Sequence, residues 1–238
     1  MAYRTSVAAN TSPTGTTLQT GNVTSVVNDI GVACWTTTQG QPVSSYLDSN
    51  GNTWNQVSGS PYAFGSTIYY FYVYLAVIAT GGSTENFTCS VSGGATYLVQ
   101  NVGLFSGRNT SSTLDGTLGT FLDSGFVQPH SGPSVTTTSN GSDLVCCVVD
   151  YGQTTADTFT AGSGFTIGCQ FNGNGTVQMP MMMMYRQNVA AGTYTAPWTT
   201  ANFVKGGAVM IALKAATTSF PTAQGDALSG GLSGGFKF

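Results

Sequence analysis

Asp29-Ile30-Gly31-Val32-Ala33-Cys34-Trp35 and Asp143-Leu144-Val145-Cys146-Cys147-Val148-Val149 decide how this chain is read. Each is an acidic turn residue opening an apolar strand. A turn-rich stretch follows each, then an aromatic strand start, Asn52-Thr53-Trp54 in one case and Ser163-Gly164-Phe165-Thr166 in the other. Next come a long apolar strand, a Gly-bearing hairpin and a Thr/aromatic strand, Asn86-Phe87-Thr88-Cys89 against Thr193-Tyr194-Thr195-Ala196. Both series close on a small-residue strand, Val102-Gly103-Leu104-Phe105 against Val209-Met210-Ile211-Ala212-Leu213. The matched strands are roughly 110 residues apart, a repeat at fixed period. Two four-strand halves, about 28–107 and 142–216, predict an all-β, jelly-roll-like antiparallel β-sandwich spanning residues 1–216 as one domain.

Composition agrees with that class. Of the 238 residues 41% are apolar, enough for a core, and only 6% are charged, far below the quarter typical of soluble domains. The surface must therefore be Thr, Ser, Asn, Gln and Gly, a cover that suits polar sheets and argues against a cytosolic enzyme. Helical spacing is absent, while Gly, Thr and β-branched residues recur throughout. The net charge is −3 and the six basic residues, Arg4, Arg108, Arg186, Lys205, Lys214 and Lys237, are scattered. No basic footprint exists for nucleic acid or for an anionic membrane. No apolar leader follows Met1-Ala2-Tyr3-Arg4, so export by the usual route is not expected. The longest apolar run, residues 68–79, is too short to span a bilayer as a helix.

Residues 1–27 read as a polar arm supplying one or two edge strands, and 108–141 as a crossover between halves. From Thr217 the character changes: Leu228-Ser229-Gly230-Gly231-Leu232-Ser233-Gly234-Gly235-Phe236-Lys237-Phe238 is a Gly-rich tail with few large apolar groups. Residues 217–238 are therefore expected to be a C-terminal assembly arm whose Leu228, Leu232, Phe236 and Phe238 dock onto another subunit.

Several short stretches carry a resemblance. Thr53-Trp54, Thr113-Leu114-Asp115-Gly116, Pro133-Ser134-Val135-Thr136-Thr137-Thr138-Ser139, Asp143-Leu144-Val145, Gly164-Phe165-Thr166, Gly192-Thr193-Tyr194-Thr195 and Ala212-Leu213-Lys214-Ala215 resemble a β-sandwich module. That module recurs in bacteriophage virion proteins and bacterial extracellular proteins. The resemblance implies a structural or adhesive role and brings no catalytic residues with it. The chain departs from the pattern in lacking an export signal and in running Met179-Pro180-Met181-Met182-Met183-Met184 where the second long strand belongs. Both departures favour the virion branch.

Chemistry-bearing residues are sparse. His130 is the only histidine and lies in a Pro/Gly loop, expected to be exposed and without a nucleophile. Glu85 is the only glutamate and stands beside Gly81-Gly82; glycoside hydrolysis would need a second carboxylate facing it. Asp29 and Asp143 open strands, where Asp satisfies local backbone donors. Asp48-Ser49-Asn50-Gly51-Asn52 resembles the start of a calcium loop but lacks its later glutamate, and Asn50-Gly51 favours a hairpin instead. The methionine run would split its thioethers between two strand faces, which suits packing better than a soft-metal site. Tyr70, Tyr72 and Tyr74 share one face of a strand, either covered by a neighbouring sheet or open for an interface or glycan stacking. Of the five cysteines, Cys34, Cys89, Cys146, Cys147 and Cys169, adjacent Cys146 and Cys147 point to opposite faces. Buried free thiols are expected, with a Cys34–Cys146 disulfide as the alternative.

The reading that follows is a non-enzymatic virion protein, a phage capsid-decoration or tail/fibre subunit, without cofactor or metal. Its partners are other virion subunits, as a homo-oligomer or by attachment to a capsid or tail protein. The alternative is a carbohydrate-binding or adhesion module at a cell surface or on an extracellular filament.

Overall fold

The computed structural model describes residues 3–10, 15–38, 43–64, 69–92, 97–122, 128–151, 156–173, 179–202 and 205–216. Among them there are twenty strands and no helix, and every ladder is antiparallel. One large sheet runs β1 (Tyr3–Asn10), β11 (Leu98–Phe105), β4 (Ile30–Thr38), β8 (Tyr69–Val77) and β6 (Asn55–Gln56), with β7 (Tyr62–Phe64) also on β8. The second runs β12 (Gly119–Leu122), β20 (Lys205–Leu213), β14 (Ser142–Tyr151), β17 (Met181–Val189) and β16 (Thr166–Phe171).

Alternation along the central strands explains how these sheets stack. Ile30, Val32 and Cys34 of β4 meet Val145, Cys147 and Val149 of β14 in one apolar layer, joined by Met181 and Met183. The intervening residues face outward on each side. Ala33, Trp35, Tyr72 and Tyr74 pack under a smaller sheet, β2 (Thr17–Gln19), β10 (Phe87–Val91) and β5 (Val43–Asp48). Cys146, Val148, Met182 and Met184 pack under two ribbons. These are β13 (Ser134–Thr137) on β18 (Gly192–Thr195), and β15 (Phe159–Ala161) on β19 (Trp198–Thr200). A last ribbon pairs β3 (Val23–Ser25) with β9 (Gly82–Glu85). Both large sheets are thus covered on both faces, and β14 is buried at all ten positions.

Four expectations need correction. Four strands per half is too low a count, because each large sheet carries its own outer layer. Residues 1–27 supply three strands, β1 to β3. The cysteines are not all free: Cys34 is bonded to Cys147, with Cα atoms 6.4 Å apart. Cys146 cannot take that place, because its side chain points into the outer layer with Trp198. Finally, Asn50-Gly51 makes a turn but not a hairpin. Asp48 Oδ1 accepts from Asn50 N at 2.9 Å and Asn52 N at 3.0 Å. The flanking strands then part, β5 pairing with β10 in the outer sheet and β6 with β8 in the large one. The turn therefore carries the chain between layers.

Candidate functional site

The tyrosine stripe lies inside the fold. Tyr72 is 3% exposed and stacks on Trp35 at 4.2 Å; Tyr74 is 7% exposed and stacks on Tyr46 at 5.1 Å. Tyr46 in turn donates to Gln100 Oε1 at 3.3 Å. With these rings buried, only half-buried Tyr70 remains near the surface, too little for a stacking platform. Leu228, Leu232, Phe236 and Phe238 lie outside the described residues.

His130 is buried rather than exposed. Its backbone bridges to Trp198, His130 N donating to Trp198 O at 2.9 Å, and its ring stacks on the Trp198 indole at 4.5 Å. Glu85 is likewise fully buried. Its Oε1 accepts from Asn52 Nδ2 at 3.1 Å, while Asn52 Oδ1 takes the Ala79 and Thr80 amides. Burial pushes the Glu85 carboxyl up, the Asp48 charge adding to it and bonds from Ser25 and Asn52 opposing. Asp48 Oδ2 is itself held by Trp54 Nε1 at 2.7 Å. These acids tie together the turn after β5, the Trp54 indole and the connection between β8 and β9, Glu85 from a buried position and Asp48 from a half-buried one.

The strand-opening acids each meet an arginine. Arg4 donates to both Asp29 oxygens, at 2.8 and 3.1 Å, and Asp29 Oδ2 also takes Val26 N at 3.0 Å. Arg108 lies 3.3 Å from Asp143 Oδ1, with both side chains almost wholly buried. Asp143 is still pushed up by burial, against the Asn188 amide and Arg108.

Sequence reasoning missed two further acids. Asp150 is fully buried, and its carboxyl is pushed well up by burial and then by the charge of Asp157, the Trp198 indole opposing. Asp150 Oδ1 and the His130 ring both lie 3.3 Å from where a Gly206 Cβ would stand, so they approach one another across that glycine. Asp115 is the opposite case. Burial alone would raise it, but Ser142 Oγ, Thr138 Oγ1 and the Thr138 and Ser139 amides all donate to it, and the net shift is down. It sits within Thr113-Leu114-Asp115-Gly116 and pins the crossover to the start of β14. Neither acid carries a signal in sequence, because what defines each is a partner far along the chain. Among the described residues no three His, Cys, Asp or Glu side chains converge as metal ligands.

What remains open is concave rather than chemical. A groove of about 690 Å³ runs between β6 and the crossover, with Val57, Leu75, Leu114 and Leu118 as its apolar lining and Gln56 and Thr117 among its polar residues. A smaller cavity of about 190 Å³ lies between β7 and β12, against Tyr62, Phe71, Phe121 and Val209. The wall of the larger groove is fixed in place. Gly116, at φ +86°, lies so close to β13 that a Cβ would stand 2.1 Å from Thr136 O. Asp115 N and Lys214 N donate across to Ala212 O and Thr113 O. Comparison of the chain with protein-family models, curated proteins and solved structures finds no match.

Proposed function

We propose that the chain is a non-enzymatic structural subunit of a viral particle, a bacteriophage capsid-decoration or tail/fibre protein. The observation that carries this reading is where the acids point. Asp29, Asp48, Glu85, Asp115, Asp143, Asp150 and Asp157, all the acidic residues described, are buried or half-buried. The outward faces carry paired hydroxyls and amides instead, Ser134 with Thr195, Thr136 with Thr193, Gln19 with Asn86. A surface that neither steers charged substrates nor repels its copies suits close packing among subunits. The Cys34–Cys147 bond also suits a protein that works outside a reducing cytoplasm.

The same reading takes the fold as an internal duplication of a jelly-roll-like unit. The large-sheet orders β1-β11-β4-β8-β6 and β12-β20-β14-β17-β16 list strands in matching chain positions. The outer layers match too, β3-β9 with β13-β18 and β10-β5 with β19-β15. Trp54 immediately precedes β6 and Phe165 immediately precedes β16. On this reading the halves pack about a pseudo-twofold axis, β1 lying over β16 and Cys34 joined to its counterpart near the axis. No observation favours the glycan-binding alternative, since Tyr72 and Tyr74 are in the core.

Mass spectrometry of density-purified particles from a culture carrying this gene tests the assignment. Its peptides are expected to band with capsid or tail proteins; their restriction to the soluble fraction refutes it.

A further inference from the structure

The two seams between the large sheets are not finished alike. Where β1 lies over β16 and β17, Tyr3 stacks on Tyr185 at 4.1 Å, meets Phe105 edge-on and donates to Gly168 O at 3.3 Å. That seam is closed. At the other, Leu114 pairs with Leu213 as Tyr3 pairs with Phe105. Leu75 stands opposite Val32 as Tyr185 stands opposite Val145. Two leucines thus replace two stacked rings, and the space they leave is the groove of about 690 Å³. Its rim is β6, which ends its sheet with one edge unpaired among the described residues, an edge open to strand addition.

The chain contains a segment of fitting chemistry. Leu228, Leu232, Phe236 and Phe238 all fall at even positions, so an extended backbone puts all four on one side. Gly and Ser separate them, letting that backbone lie close against a wall. Residues 228–238 would reach about 36 Å when extended, enough to run along the groove and past it.

We propose that this groove seats residues 228–238 of a second copy of the chain. This deepens the subunit reading and rests on it, and on the duplication that makes the two seams comparable. A second copy is favoured over the chain's own tail by the spacer. The groove wall begins at Thr113 and Leu114, which already contact Lys214 and Leu213, so a tail docking at home needs no linker. The four apolar groups instead follow eleven residues, 217–227, that include Pro221 and Gly225.

Donor–acceptor complementation in the full chain tests this. One variant replaces Leu228, Leu232, Phe236 and Phe238 with Ser, leaving the groove intact. The other carries Leu118→Arg in the groove and leaves the tail intact, with Thr117→Arg at the exposed rim as a second groove variant should Leu118→Arg fail to fold. Light scattering after size exclusion is expected to show concentration-dependent association of the parent chain, weakened at least about thirtyfold in each variant. Mixing a tail variant with a groove variant is expected to restore one-to-one pairs and nothing larger. A parent chain that stays monomeric at high micromolar concentration overturns the proposal, as does a groove variant that associates normally or a mixture that does not pair. Equal incorporation of both variants into particles would sink the arm-in-groove contact while leaving the subunit reading intact. Absence of the parent chain from particles would remove the subunit reading itself.

Discussion

Replacing Cys34 and Cys147 together by Ala is expected to cost about 2–5 kcal/mol of stability. The bond joins residues 113 apart in sequence. Closing a loop of that length removes about 16 cal/mol/K from the unfolded chain, or about 4.8 kcal/mol at 25 °C. Residual structure in the unfolded ensemble lowers that figure. Loss of two sulfurs raises it again, because Cys34 is fully buried and Cys147 only 2% exposed between the large sheets. For a chain of this size the change corresponds to a fall in melting temperature of roughly 4–20 °C.

The connectivity is checked separately by alkylation in denaturant. Without reductant the parent chain is expected to take three labels, on Cys89, Cys146 and Cys169, and five after reduction. Cys146→Ala is expected to lower the unreduced count by one and leave the crosslink intact. Five labels without reduction, or loss of the crosslink in Cys146→Ala, would refute the layer assignment of β14.

Three further outcomes follow from the buried groups. Asp150→Asn is expected to stabilise the protein at pH 7, because burial and the Asp157 charge both disfavour the Asp150 carboxylate, and an amide carries no charge into that site. The gain should shrink towards pH 4, and a loss of stability at pH 7 on chemical denaturation would contradict it. In the parent chain Glu85, Asp143 and Asp150 all have raised pKa values. Their contribution is therefore full below the ordinary carboxylate range and is lost as pH rises through the folded values. Asp115, with a lowered value, acts oppositely, and its contribution disappears only as pH falls through that lowered value. Denaturant midpoints by circular dichroism should rise as pH falls from 7 towards about 4.5, at low protein concentration because the pI is near 4.7; a steady decline would count against burial of these acids. Gly31→Ala would place a Cβ 2.5 Å from Trp54 Cη2, and the ring is anchored by its bond to Asp48. A cost of roughly 1–3 kcal/mol is expected, and an unchanged melting temperature would show that the indole moves freely.

The parts legible in sequence were those with a period or a local partner. Alternation along Met181-Met182-Met183-Met184 correctly splits the thioethers, Met181 and Met183 inward and Met182 and Met184 outward. Asp48-Ser49-Asn50-Gly51 declares its turn because the acceptor and donors lie within four residues. The cysteine pairing was not legible, since β14 is apolar on both faces and a continuous run gives no phase from which to tell Cys146 from Cys147. His130 misled for another reason. Gln128-Pro129-His130-Ser131-Gly132-Pro133 has loop chemistry, yet it is held as a buried bridge by Trp198, 68 residues away. Gly132 permits that approach: a Cβ there would stand 2.0 Å from Ala196 O. The groove escaped because it is a difference between two seams, visible only when Leu114 is set against Tyr3 in three dimensions.

Under the duplication proposed above, that difference bears on where function lies. Two copies of one unit packed about a twofold axis make every contact twice, and neither copy alone has reason to leave a seam open. Filling the Leu75 and Leu114 positions with aromatic rings would close the second seam as Tyr3 and Tyr185 close the first, with the stability that such burial brings. The chain instead keeps leucines there and holds the groove wall rigid through Asp115, which accepts four hydrogen bonds. A void left by chance would be expected to have soft walls that collapse into it. Here the wall is tied to β13, β14 and β20, so that under the proposed docking the cost of ordering would fall on the incoming segment alone.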